Sequence, residues 1–210
     1  MDRLSGLDAS FLYLETPEQL MHVCAALVLD VSTMPGGYDF EALRALIDER
    51  SKDVPVFRRR IKRVPLRLDH PVWVEDEHFA IARHVHRMAL PAPGGRRELI
   101  ELAGRLAGQP MDRGRPLWQM YVIEEYEQDK VVVFAKMHHA TVDGVSGANL
   151  LSHLCSLEPE APPLGSEQQR FAPTPSDAAL LGRAVVSSLT KPVLLAKLLQ
   201  PTSQLVTRTV

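Results

Sequence analysis

The stretch KMHHATVDGVSG at 136–147 decides how this chain is read. The run before the histidines, VVVFAKM at 131–137, is β-branched and apolar enough to form a buried strand, and a glycine-containing turn follows within a few residues. His138 and His139 therefore fall at a strand-to-loop junction. An imidazole titrates near neutrality and is suited to take a proton from an alcohol and return it to a leaving group. In HHxxxDG, Asp143 lies four residues after His139, near enough on a tight loop or first helical turn to hold local geometry, while Gly144 permits a close backbone approach. Histidine pairs at strand ends are also commonly structural or surface residues, so spacing alone leaves catalysis and structure both open. A metal reading needs a third ligand, and the nearest, His153, requires a closure that the sequence does not show.

Outward from the motif, the chain alternates strands and helices irregularly. MHVCAALVLDV at 21–31 reads as a strand buried on both faces. FEALRALIDERSK at 40–52 has one apolar helical face with Asp39 as N-cap, and RRELIELAGRLAG at 96–108 forms a second helix stopped by Gly108. Short extended pieces broken by Pro65 and Pro71 lie between the helices, and PAPGG at 91–95 closes them. LWQMYVIEEY and a charged EQDK turn precede the central strand, and GVSGANLLSHLCSL from 144 returns to helical spacing. This order predicts a mixed-sheet α/β layer architecture. The domain reading is 1–157 as a folded unit, 158–176 as a Pro-, Glu- and Ser-rich linker, and 177–210 as a helical segment.

Composition is that of an ordinary globular chain: 210 residues, 45% hydrophobic, 24% charged and a net charge of -2, which gives no footing to nucleic-acid binding. Cys24 and Cys155 lack metal or redox spacing and are predicted to be buried free thiols. With no apolar leader and no long apolar window, the expectation is a cytoplasmic protein without a transmembrane helix, in contact at most with the surface of a membrane or lipid inclusion. The basic run RRRIKR at 58–63 could meet the phosphates of a ligand or an anionic surface; a solvated basic face is the simpler reading. His22, His84 and His86 are expected to be structural.

The motif does not stand alone. LSGLDASFLYLE at 4–15, MHV at 21–23, FRRRI at 57–61, VPLRLDHPVWVED at 64–76, HV at 84–85, LPAPGG at 90–95 and PMDRGRPLW at 110–118 occur in order with HHATVDG. Together they resemble the bacterial wax ester synthase/acyl-CoA:diacylglycerol acyltransferase family over about residues 4–157. The resemblance implies a chloramphenicol-acetyltransferase-like mixed-sheet α/β sandwich, of which this chain would supply the N-terminal half. It implies His139 as the general base that deprotonates diacylglycerol or a long-chain fatty alcohol, which then attacks a fatty acyl-CoA thioester without an acyl-enzyme. It assigns His138 a supporting place, Asp143 a structural one and Gly144 the motif turn. Pro116, Leu117 and Trp118 match the family's PLW and are either substrate-contacting or a packed strand start. Ser5, Asp8 and Phe11 are architectural. Acyl-CoA enters as co-substrate, with no resident cofactor and no metal. Glu125, where a turn glycine is usual, and Ala80, where an acidic residue is common, depart from the family pattern.

Family members continue into a second half of similar fold, so the expected partners include a separate C-terminal half or a second copy. A non-catalytic remnant or a lipid-surface module are the alternative readings. The stretch 178–199, rich in Leu and Val with Arg183, Lys191 and Lys197, either lies on lipid or packs its apolar face on that second half.

Overall fold

The computed structural model describes residues 2–52, 54–142 and 174–189. Helix α1 (Gly6–Leu14) starts at Ser5, whose hydroxyl oxygen accepts the Asp8 N–H at 3.0 Å and donates to the Asp8 carboxylate at 2.6 Å. The Ser and Asp of the N-terminal motif are thus a helix cap, in keeping with an architectural role. Strand β1 (His22–Asp30) leads to α2 (Phe40–Ser51), where the Asp39 carboxylate accepts the Ala42 N–H at 2.7 Å. A single turn, α3 (Pro55–Arg58), enters a small antiparallel pair, β2 (Arg59–Lys62) with β3 (Val72–Glu75). Strand β4 (Val85–Ala89) then crosses through α4 (Arg96–Ala107) to pair in parallel with β5 (Trp118–Glu124), and β6 (Lys130–His138) returns antiparallel to β5.

The main sheet has the order β1-β6-β5-β4, mixed as expected. Side chains alternate across it. Trp118, Met120 and Val122 of β5 join Val131, Ala135 and Met137 of β6 on one face, packed with Phe40 and Ile47 of α2 and with Phe57. Tyr121, Ile123, Val132 and Phe134 face the other way, onto Leu99, Leu102 and Leu106 of α4. Burying each of those three leucines contributes about 1.5–3 kcal/mol. Lys136 falls on the α4 face and is fully buried; its ammonium donates to the carbonyls of Leu106 and Gln109 at 2.9 and 3.0 Å, closing the C-terminal end of the helix.

Two expectations change. Strand β1 is an edge strand, and none of its residues is fully buried; Val23 and Val28 are 41% and 51% exposed. A continuous apolar run marks a strand but cannot say whether both of its faces find partners. Cys24, on that strand, is consequently exposed rather than buried. In the helix at 177–189, Leu180 and Ala184 pack on Val64, Val72 and Val74 of this chain, while Val186 and Leu189 remain exposed. The helix expected from 144, Cys155, His153, Asp143, Gly144, Lys191, Lys197 and the linker up to 173 lie outside the described residues.

Left-handed backbone concentrates in two turns. Leu66 and Arg67 have φ of 55° and 53°, and Glu125, Glu127 and Asp129 have 63°, 50° and 56°. Each such conformation costs a non-glycine residue roughly 1 kcal/mol or more. Glu125, where the resemblance implies a glycine, adopts a backbone that glycine would favour.

Candidate active site at the end of the central strand

Strand β6 ends at His138, and the backbones of His138 and the next residue, His139, bond to neighbours on either side. The His138 N–H donates to the Leu117 carbonyl at 3.0 Å, and the His139 N–H donates to the Met21 carbonyl at 2.7 Å. The side chains then diverge, as consecutive residues of a strand end must. His138 is 1% exposed, and its Nδ1 accepts the Ala140 N–H at 3.0 Å. In the neutral imidazole this leaves the proton on Nε2, which lies 3.4 Å from a Glu15 carboxylate oxygen. The Thr141 hydroxyl donates to the His138 carbonyl at 2.6 Å and tightens the single 3-10 turn His139–Thr141.

His139 turns the other way and is half-buried. Its ring stacks on Phe11 of α1 with centroids 4.0 Å apart and planes inclined by 20°. Its Nδ1 is buried and meets no hydrogen-bond partner among the described residues. The first helix thus does more than cover the core, because it supplies the aromatic face that fixes the His139 ring.

Glu15, immediately after that helix, organises the buried side of the junction. It accepts from Arg113 Nε at 3.1 Å and from the Met21 N–H at 3.3 Å, and its oxygens stand 3.5 Å from His22 Nε2 and 3.4 Å from His138 Nε2. Burial alone would raise the Glu15 carboxyl, but the bonds from Arg113 and Met21 and the nearby His138 hold it below its usual value. Burial pushes His138 down, against the opposing pull of Glu15. His22 is lowered for the same reason, although its Nδ1 donates to the Ala107 carbonyl at 3.2 Å. Burial thus disfavours protonation of His22 and His138, and the Glu15 carboxylate partly offsets it.

The PLW residues are interior. Leu117 and Trp118 are 0% and 1% exposed, and the Trp118 Nε1–H donates to the Phe57 carbonyl at 2.9 Å. Trp118 stacks on His84 at 4.6 Å, and His84 Nδ1 donates to the Trp118 carbonyl at 2.9 Å. Pro116 is buried too, its carbonyl accepting the Trp118 N–H at 2.9 Å. Packing is the role that this geometry displays for all three. Among the described residues no group of three His, Cys, Asp or Glu side chains is placed to hold a metal ion.

The Glu15, Arg113 and His22 cluster is the part that residue-by-residue reading did not assemble. Each lies inside a motif segment that carries the resemblance, at 4–15, 21–23 and 110–118, which was the available signal.

Solved structures match this arrangement, a mixed sheet whose β6 ends at His138, with α2 and α4 packed on its two faces. The first condensation domain of the calcium-dependent antibiotic synthetase matches it with a TM-score of 0.59 at 12% identity, over 73% of this chain and 36% of that one. The wax ester synthase/diacylglycerol acyltransferase from Marinobacter aquaeolei VT8 matches with a TM-score of 0.61 at 33% identity, over 76% of this chain and 39% of that one. The family profile described as wax ester synthase/diacylglycerol acyltransferase catalytic domain matches residues 4–210. A Mycobacterium tuberculosis protein described as a candidate diacylglycerol O-acyltransferase is 58% identical over 163 residues, 77% of this chain and 32% of the relative. Another from that organism, similarly described, is 38% identical over 192 residues, 90% of this chain and 69% of the relative. The chain belongs to the wax ester synthase/diacylglycerol acyltransferase family. It spans about a third of the length of the first two relatives it matches.

Proposed function

We propose that this chain supplies the histidine-bearing part of an O-acyltransferase that moves a fatty acyl group from acyl-CoA to diacylglycerol or a long-chain alcohol. The carrying observation is the His139 ring, placed just past β6 by the backbone bond to Met21 and by the stack on Phe11, with a buried Nδ1 that meets no partner among the described residues. In the proposed step His139 Nε2 accepts the alcohol proton as the oxygen attacks the thioester carbonyl. The C–S bond then breaks, and the proton passes to the departing CoA sulfur. His138 holds the turn, and Asp143 is assigned a structural role with Gly144 at the motif turn. Acyl-CoA is a co-substrate, and the reaction as written needs no resident cofactor.

The same reading takes 1–157 as the acyltransferase unit, 158–176 as a linker and 177–210 as the lead into a further region or a contact with a lipid surface. The exposed Val185, Val186 and Leu189 beside Arg183 fit the latter. The test is acyl transfer from palmitoyl-CoA to diacylglycerol by the chain, supplied with the region of its relatives that it does not span. His139→Ala should cost about 10²- to 10⁴-fold in rate. His138→Ala should act mainly through stability. Near-parental turnover by His139→Ala would remove the assignment.

A further inference from the structure

The basic run at 58–63 is mostly neutralised within the fold. Arg58 pairs with Asp48 at 2.7 Å, Arg59 with Asp2 at 2.6 Å, Arg60 with Asp76 at 4.0 Å and Lys62 with Asp177 at 2.9 Å. Arg63 has no ion pair among the described residues, and it lines a cavity of about 610 Å³. Arg67, equally without an ion pair there, reaches the same cavity from the turn in which Leu66 and Arg67 adopt φ of 55° and 53°. Two successive left-handed residues that are not glycine are held against their own preference, and such positions cluster at ligand clamps. The other charges on the wall are compensated: Asp69 pairs with Arg3 at 2.8 Å and Arg113 with Glu15. Among the described residues two guanidinium charges therefore remain unbalanced over a wall of Leu12, Ile61, Val64 and Leu68.

A carboxylate answers one such charge. A phosphate monoester carries close to two at neutral pH and offers three acceptor oxygens to guanidinium forks. Inorganic phosphate would leave the apolar wall uncovered, and the volume suits an organic ligand of a few hundred ångström cubed. We infer that this cavity binds a phosphomonoester-bearing amphiphile, with Arg63 and Arg67 on the phosphate and the apolar wall under the rest of the molecule. Two sources share that chemistry: the 3′-phosphate end of CoA and the headgroup of a phosphatidate. Naming CoA rests on the acyltransferase reading; the cavity and its charge do not.

Calorimetric titration of the 210-residue chain separates the sources, using CoA against dephospho-CoA, and phosphatidylcholine vesicles with and without phosphatidate. The Arg63→Ala/Arg67→Ala chain should bind the phosphomonoester probe about 10- to 100-fold more weakly, with an unchanged melting curve because both residues are exposed. Arg63→Lys/Arg67→Lys, which keeps the charge without the fork, should recover part of the loss. Preference for CoA over dephospho-CoA identifies the nucleotide end, and preference for phosphatidate identifies a lipid headgroup; either supports the site. The inference is overturned if the parent shows no preference for a phosphomonoester over its counterpart, or if the alanine variant binds every probe as the parent does. Because binding is read directly, a chain inactive in acyl transfer can still pass, and an active one can still fail.

Discussion

Glu15 shows how one residue sets the state of several others. Its carboxylate is held by Arg113 and the Met21 amide and stands beside two buried imidazoles, so its loss is felt on three elements. Glu15→Gln should destabilise the chain by about 2 kcal/mol, as Arg113 loses its charged partner and turns toward solvent. A urea titration measures this; a change within error would mean that the cluster is not assembled in solution. The histidines make a separate prediction. His22, His84, His86 and His138 are all lowered, burial being the first cause in each. In the unfolded chain they take up protons near about pH 6.5, while the native state resists doing so. More protons on the unfolded side means that stability is full above about pH 6.5 and falls as pH drops toward the lowered native values. Glu15 is also lowered and adds a loss further into acid, below its ordinary carboxylate range. The melting temperature should therefore decline from about pH 7 to about pH 5, before most carboxylates titrate. A flat profile over that interval would contradict neutral burial of these rings.

At the scale of elements, two glycines with positive φ are unequal. A Cβ added at Gly94, where φ is 75°, would lie 2.3 Å from the Glu125 carbonyl oxygen, whereas at Gly36, with φ of 80°, it would meet nothing within 4 Å. Gly36→Ala should cost only the left-handed strain of about 1 kcal/mol, and Gly94→Ala several times more, because the turn after β5 must move. Thermal melts of the two variants compare them directly, and equal losses would show that the loop yields. Much at this scale was legible in the sequence. Asp39 and Gly108 punctuate helices by local hydrogen bonding, and the β-branched apolar run 131–137 declares a buried strand. What was not legible depends on neighbours: β1 is as apolar as a central strand yet lies at the edge, and Lys136 sits in an apolar strand because it closes the distant end of α4. The candidate site divides in the same way. The histidines announce themselves by adjacency, but Phe11 against His139 and Glu15 against His138 arise only when α1 docks on the end of β6.

At the scale of the molecule, the main sheet is unevenly covered. Helices α2 and α4 pack its faces over β5 and β6, while β1 keeps Val23 and Val28 exposed and forms an edge of the sheet. An apolar edge strand is a template for further pairing. The first two relatives run well beyond the part that this chain matches, which is about a third of their length, and their additional region is the occupant that continuity of sequence makes available. The expected outcome is that the 210-residue chain alone transfers little acyl group from palmitoyl-CoA to diacylglycerol. Adding the unspanned region of the 58%-identical relative should restore turnover and slow amide exchange along His22–Asp30. The physical reason is that acyl transfer needs reacting atoms held about 3 to 3.5 Å apart and donors aimed at the tetrahedral oxyanion. On the proposed reading His139, stacked on Phe11, provides one proton acceptor, and the oxyanion donors and substrate channel must come from elsewhere. Exchange and turnover should rise and fall together as the added region is titrated. Robust turnover by the chain alone, with the β1 amides still exchanging freely, would show that one layer of this fold suffices for the chemistry and that the exposed edge answers to something else.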